Sequence, residues 1–178
     1  MKRRLALFVA TAVMAATLAG CAGPTPSDYA AEKPVLDLKS YFNGELVAHG
    51  VFTDRQGKVA RRFVVQMTGT WQGKEGMLDE RFTYSDGSTE RRVWRLTDKG
   101  GGRWSGRADD VLGVAQGVAA GNALNWRYTL KLPVDGKLYE VQFDDWMYLM
   151  DDKVMLNKAA MSKFGIHLGE VTLSFYKK

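Results

Sequence analysis

Cysteine is almost missing from this 178-residue chain, with Cys21 as its single copy. One thiol can close no intrachain disulfide and can build no thiolate metal centre, which needs several cysteines. Histidine is nearly as scarce. His49 and His167 are the only two, and they have neither H-x-H nor H-x-x-x-H spacing, so no metal site is read from them. No G-x-S-x-G is present, which removes the serine-hydrolase elbow. No Lys-Ser or Lys-Thr follows a glycine run, which removes the phosphate-binding loop. Proline is confined as well: Pro24, Pro26 and Pro34 fall close together, and beyond them only Pro133 remains.

The N-terminus carries the clearest signal. Lys2, Arg3 and Arg4 precede an apolar stretch from Leu5 to Thr17. That is the layout of a secretory leader, and it is shorter than the about 20 residues of a spanning helix. Leu18-Ala19-Gly20-Cys21 resembles the lipobox of bacterial lipoproteins, which are cut before the cysteine and acylated on its sulfur and amino group. Residues 1–20 are therefore expected to be a lipoprotein signal peptide and Cys21 the lipidation site. Ala22 rather than aspartate follows the cysteine, which resembles an outer-membrane address facing the periplasm. One acyl chain holds a membrane only marginally and several hold it firmly. The competing readings are a plain anchor helix and an ordinary secretory signal with a free cysteine after it. Without Lys2, Arg3 and Arg4 the net charge falls from +5 to about +2, so the basic balance is no nucleic-acid footprint. The membrane, through Cys21, is an expected partner; nucleic acid is not.

Residues 21–34 read as the lipidated end and a flexible tether. Residues 35–178 read as one β-barrel domain, large enough to bury a core without staples. There the pattern alternates. Leu124, Trp126, Tyr128, Leu130 and Leu132 are set against Asn125, Arg127, Thr129 and Lys131, and Leu78, Glu80, Phe82 and Tyr84 against Asp79, Arg81 and Thr83. Val59 to Met67, Tyr139 to Phe143 and Val171 to Phe175 repeat it. Period two with one wet face marks antiparallel strands. Asp86-Gly87, Gly100-Gly101-Gly102 and Asp135-Gly136 supply hairpin turns. The expected fold is all-β, an antiparallel up-and-down lipocalin/calycin-like barrel of about 8–10 strands, with a short helix near 156–164. An open two-sheet sandwich is the competing architecture.

Arg61, Glu80 and Arg92 fall in register with inward-facing neighbours. A buried charge is costly unless paired, so the three are expected to form an internal network and to hold an anionic, lipid-like head group. The alternative is that each sits at a strand end with its head in water. Trp94, Trp104, Trp126 and Tyr128 are the aromatic candidates for a pocket wall, against the plainer reading of core packing. His167 is a candidate polar tip at the pocket mouth, or simply structural. Asp144-Asp145 reads as a strand end whose two carboxylates point to opposite faces, and Asp109-Asp110 and Asp151-Asp152 as turns. Gly113, Gly117 and Gly121 read as a small-residue strand or loop permitting a bend or close approach.

Several stretches resemble one family: Phe52–Gly57 with Arg62-Phe63, Leu78–Gly87, Asp109–Gly117, Gly121–Tyr128, Asp144–Tyr148, and Met161–Gly165 through Gly169–Leu173. They are similar to a family of uncharacterised Gram-negative lipoproteins, a domain of unknown function, with a lipocalin-like barrel expected. The resemblance runs from about Val35 to Tyr176 and brings no catalytic residues with it. The expected function is binding or carrying a fatty-acid-like or other apolar ligand. The alternatives are an enzyme or accessory in envelope lipid modification, and a structural interaction module with a filled barrel. No catalytic residue, metal or cofactor is expected, and the protein is expected to be a monomer.

Overall fold

The computed structural model describes residues 23–134 and 136–178; Cys21 and the expected leader lie outside them. Ten antiparallel strands follow one another as hairpins: β1 (Gly44–Asp54), β2 (Val59–Gln72), β3 (Glu75–Tyr84), β4 (Thr89–Gly100), β5 (Arg103–Arg107), β6 (Val111–Ala120), β7 (Ala123–Val134), β8 (Lys137–Leu149), β9 (Val154–Lys163) and β10 (Ile166–Lys177). Each pairs with its neighbours in sequence, and β10 returns to pair with β1, closing the barrel. Closure leaves no unpaired edge to cover. The sandwich alternative is thereby set aside.

The inward faces are those read from the alternation. Val65, Met67, Leu78, Trp94, Leu96, Leu124, Trp126, Leu130, Val141, Phe143 and Phe175 form one buried cluster. Arg127, set between Trp126 and Tyr128, is exposed on the wet face. The glycine repeat lies on β6. Gly113, at φ 72°, sits where the β6–β7 register shifts, and Gly117 lies beneath the Trp126 ring.

The helix expected near 156–164 is β9 instead. Its inward residues are Met155, Asn157, Ala159 and Met161, all buried. Two of these, Asn157 and Ala159, are polar or small, so hydrophobicity shows no alternation there. Its Ala, Met, Leu and Lys also favour helix locally, and pairing with β8 and β10 overrides that propensity.

One end of the barrel is sealed. A five-residue helix, α1 (Leu38–Phe42), starts where the Asp37 side chain accepts the Ser40 N–H at 2.7 Å, a typical N-cap. Leu38, Tyr41 and Phe42 are buried across that end, with Phe42 edge-on to Phe175. Lys177 Nζ donates to the carbonyls of Ser40, Tyr41 and Asn43, which suits the negative end of a helix. Gly69 on β2 admits the plug: a Cβ there would stand 1.6 Å from the Phe42 carbonyl oxygen.

Within the stretch expected to be a flexible tether, the chain meets the barrel at Tyr29. Pro26–Tyr29 forms a 3-10 turn, and the Tyr29 ring packs on Trp146 and Tyr148. The Leu36 N–H then donates to the Gly121 carbonyl at 2.8 Å. Gly121 lets this strap cross the β6–β7 turn, since a Cβ there would meet the Tyr29 oxygen at 1.7 Å.

Candidate ligand-binding site

The plug covers only one end, and the barrel interior above it is a cavity of about 740 Å³. Phe42 and Leu38 form its floor, and apolar side chains such as Phe63, Phe82, Trp94, Trp126, Val141 and Phe143 form its walls. The mouth lies at the opposite end, among the turns β1–β2, β3–β4, β5–β6, β7–β8 and β9–β10. Around it the rim is divided. Leu138, Phe164 and Ile166 are exposed on the β7–β8 and β9–β10 side, whereas Asp86, Glu90 and Asp109 stand on the β3–β4 and β5–β6 side.

A polar belt interrupts the apolar wall between floor and mouth. Arg92 on β4 lies directly across from Glu80 on β3, and both side chains are only 12% exposed. The Arg92 guanidinium donates through Nε to Asp110 at 2.8 Å and lies 3.8 Å from Glu90 and 3.9 Å from Glu80. Burial works against its charge, but Glu80 and Asp110 hold the guanidinium more firmly protonated than usual. Arg61, nearer the mouth, donates to Asp86 at 2.8 Å and lies 3.5 Å above the Tyr84 ring, a cation–π contact. The network read from Arg61, Glu80 and Arg92 is therefore two neighbouring clusters, each matched by carboxylates.

Trp94, Trp126 and Tyr128 line the cavity, as Arg61, Glu80 and Arg92 do. Trp94 stands edge-on to both Trp126 and Tyr128, and Tyr128 stacks on Phe143 at 4.9 Å. The other two candidates lie elsewhere. Trp104 is buried edge-on to Trp71 near the sealed end, outside the cavity lining. His167 is exposed beside the register shift between His167 and Gly169 on β10; the bulge there breaks the alternation that would have turned it inward.

The residue that sequence reasoning passed over is Asp145. Asp144-Asp145 does not end a strand, because β8 continues to Leu149. Asp144 points outward to Arg127 at 3.1 Å and accepts from Asn125. Asp145 points inward to the cavity and is 7% exposed, and its Oδ1 has no hydrogen-bond partner among the described residues. Burial pushes its carboxyl up to about 7, with Arg92 opposing and Asp144 adding to the rise. Burial likewise lifts Glu80 to about 7 against the pull of Arg92. Asp110 does lie in the β5–β6 turn, yet it also closes the Arg92 cluster.

The sequence profile described as a protein of unknown function, DUF3833, matches residues 15–177. The chain belongs to the DUF3833 family. No curated protein matches it. Among solved structures, the S-type phycobiliprotein lyase CPES from Guillardia theta is similar at a TM-score of 0.60 and 5% identity, over 88% of this chain and 98% of that one. A protein of unknown function of the DUF3598 family from Nostoc punctiforme is similar at a TM-score of 0.50 and 12% identity, over 83% of this chain and 51% of that one. At such identities the likeness is one of fold. For this DUF3833 chain it fixes a lipocalin-like barrel and leaves the chemistry to the cavity.

Proposed function

We propose that this protein is an outer-membrane-anchored lipoprotein, facing the periplasm, whose barrel binds or carries a fatty-acid-like or other elongated apolar molecule. The observation that carries the reading is the open, aromatic-walled cavity of about 740 Å³ with a single polar belt. Small-molecule sites fall in the range of about 300–1,000 Å³ and combine apolar walls with a few placed polar groups. Each methylene buried there contributes about 0.8 kcal/mol, and part of that total is lost to ordering the ligand. A structural module with a filled barrel would have no such space.

Anchoring through Cys21 gives the barrel an orientation. Only a few residues separate Cys21 from the 3-10 turn at Pro26, a leash of at most about 3.6 Å per residue. The strap it joins lies at the sealed end, so that end faces the anchoring membrane and the mouth faces away. The lyase named above acts on a phycobiliprotein; here the corresponding barrel would hold a lipid-like molecule between membrane and periplasm.

Native mass spectrometry of the purified protein tests the reading. A co-purified apolar molecule, or stoichiometric uptake of the neutral dye Nile red, supports it, and a ligand-free spectrum with no dye uptake overturns it. One observation favours a second reading, an enzyme acting on such a lipid: two carboxyls poised near pH 7 in a cavity suit acid–base chemistry. Envelope lipids recovered chemically unchanged after long incubation would count against it.

A further inference from the structure

The belt's charges decide what kind of polar group it can receive. Its guanidiniums, Arg61 and Arg92, are paired with Asp86 and with Asp110, Glu90 and Glu80 respectively, and a third cation, Lys163, lines the cavity over the Tyr139 ring. Asp145 adds one more carboxyl, with no cation in ion-pair range among the described residues. Three cations thus face five carboxyls. A fatty-acid carboxylate brought to this belt would add a like charge to a surplus of carboxyls.

What Asp145 Oδ1 lacks is a donor. A buried carboxyl oxygen with nothing to accept costs free energy that a hydrogen bond would recover. Resting on the proposed apolar ligand, we infer that the ligand's polar end is a hydrogen-bond donor, best a protonated amine, seated on Asp145 with Glu80 nearby, rather than a carboxylate. Trp126 and Tyr128, on the strand paired with β8, wall the same part of the cavity. They offer aromatic faces, which also favour a cation. Charge-assisted donation to a carboxylate is the stronger kind of hydrogen bond. Glu80 and Asp145, held near 7 by burial, would give up their protons as the amine enters.

Displacement of Nile red at neutral pH by three probes of equal chain length, dodecylamine, dodecanol and dodecanoate, tests this. The protein used is the secreted chain carrying Cys21→Ser, which is not acylated and keeps every residue of the barrel. Dodecylamine is expected to displace the dye at about a tenfold lower concentration than dodecanoate, with dodecanol between them. Asp145→Asn should shrink that preference to about threefold or less while dodecanol binding holds, since only the charge-assisted part is lost. Glu80→Gln provides an independent second variant and should narrow the gap less. Dodecanoate binding as tightly as dodecylamine, with the dye taken up normally, would overturn the donor assignment and leave the ligand-binding reading standing. No dye uptake and no displacement by any probe would overturn both.

Discussion

The two ends of this barrel are built from opposite materials. At the sealed end, α1, the strap through Tyr29 and the C-terminal Lys177 converge on buried apolar contacts and backbone carbonyls. At the mouth the turns carry charge on one side and exposed Leu138, Phe164 and Ile166 on the other. The sealed end has the character of a core, where loss of volume is felt. The mouth has the character of a surface, where substitutions shift stability little. Between them the belt has a third character: it is buried like a core but charged like a surface, and stability is spent there on something other than folding.

The largest expected effect breaks the plug. Phe42 is 5% exposed and meets Tyr41 and Phe175 edge-on. Phe42→Ala should cost about 3–5 kcal/mol in urea unfolding, as buried aromatic truncations do. The same change should admit Nile red to a barrel now open at both ends, visible as faster dye exchange. A loss under about 1 kcal/mol would mean that the plug is an ornament of the strand ends and that the two ends are alike.

Next comes the belt, through pH. Glu80 and Asp145 have carboxyls raised by burial to about 7, whereas the unfolded chain releases these protons near 4.5 and 3.8. Unfolding therefore becomes easier as pH rises between those limits. The stability these groups contribute is complete below about pH 4 and is lost as pH climbs through about 7. At about 1.4 kcal/mol per pH unit the loss is bounded by about 4 kcal/mol for each group. The urea midpoint should fall across this window, and Asp145→Asn should flatten the fall. The exterior runs the other way: Asp98, bound to the Gly100 amide and to Lys39 of α1, is held below the usual carboxylate range. Its contribution is present at neutral pH and fades as the medium turns acid. A midpoint that rises steadily from pH 4 to 8 in the native chain would remove the distinction between belt and exterior.

How much of this was legible in the residues follows the same division. The walls were, because a half-buried strand writes itself in period two, and Leu124 to Leu132 and Leu78 to Tyr84 face inward as that period requires. The pairing of Glu80 with Arg92 was half legible: both sat in inward register, but the Asp110 partner comes from a turn that alternation does not describe. Asp145 was hidden by its neighbour, since two adjacent acids resemble a strand end until Trp146, Met147 and Tyr148 are seen to continue β8. The plug and the strap were hidden for a different reason. Short elements with few residues carry weak local signals, and contacts such as Tyr29 with Trp146 span distances in sequence that no local pattern reports. β9 misled outright, because its inward face sets polar Asn157 and small Ala159 between Met155 and Met161.

The smallest expected effect lies at the mouth, where it sharpens the contrast most cheaply. Phe164 is 87% exposed and holds φ at 52°, a left-handed conformation that asparagine tolerates better than phenylalanine. Its only aromatic-face partner among the described residues is Lys163, at 5.3 Å. Such a ring contributes nothing to the core and is disfavoured by its own backbone, so Phe164→Asn should move the urea midpoint by no more than about 0.5 kcal/mol, and toward greater stability if at all. The rate of Nile red uptake should nevertheless fall, because the first apolar surface an entering ligand meets would be gone, while the equilibrium affinity set by the walls holds. A ring that costs the fold and speeds entry would mark the mouth as shaped for traffic. A variant unchanged in both stability and rate would leave the mouth differing from the sealed end only in shape.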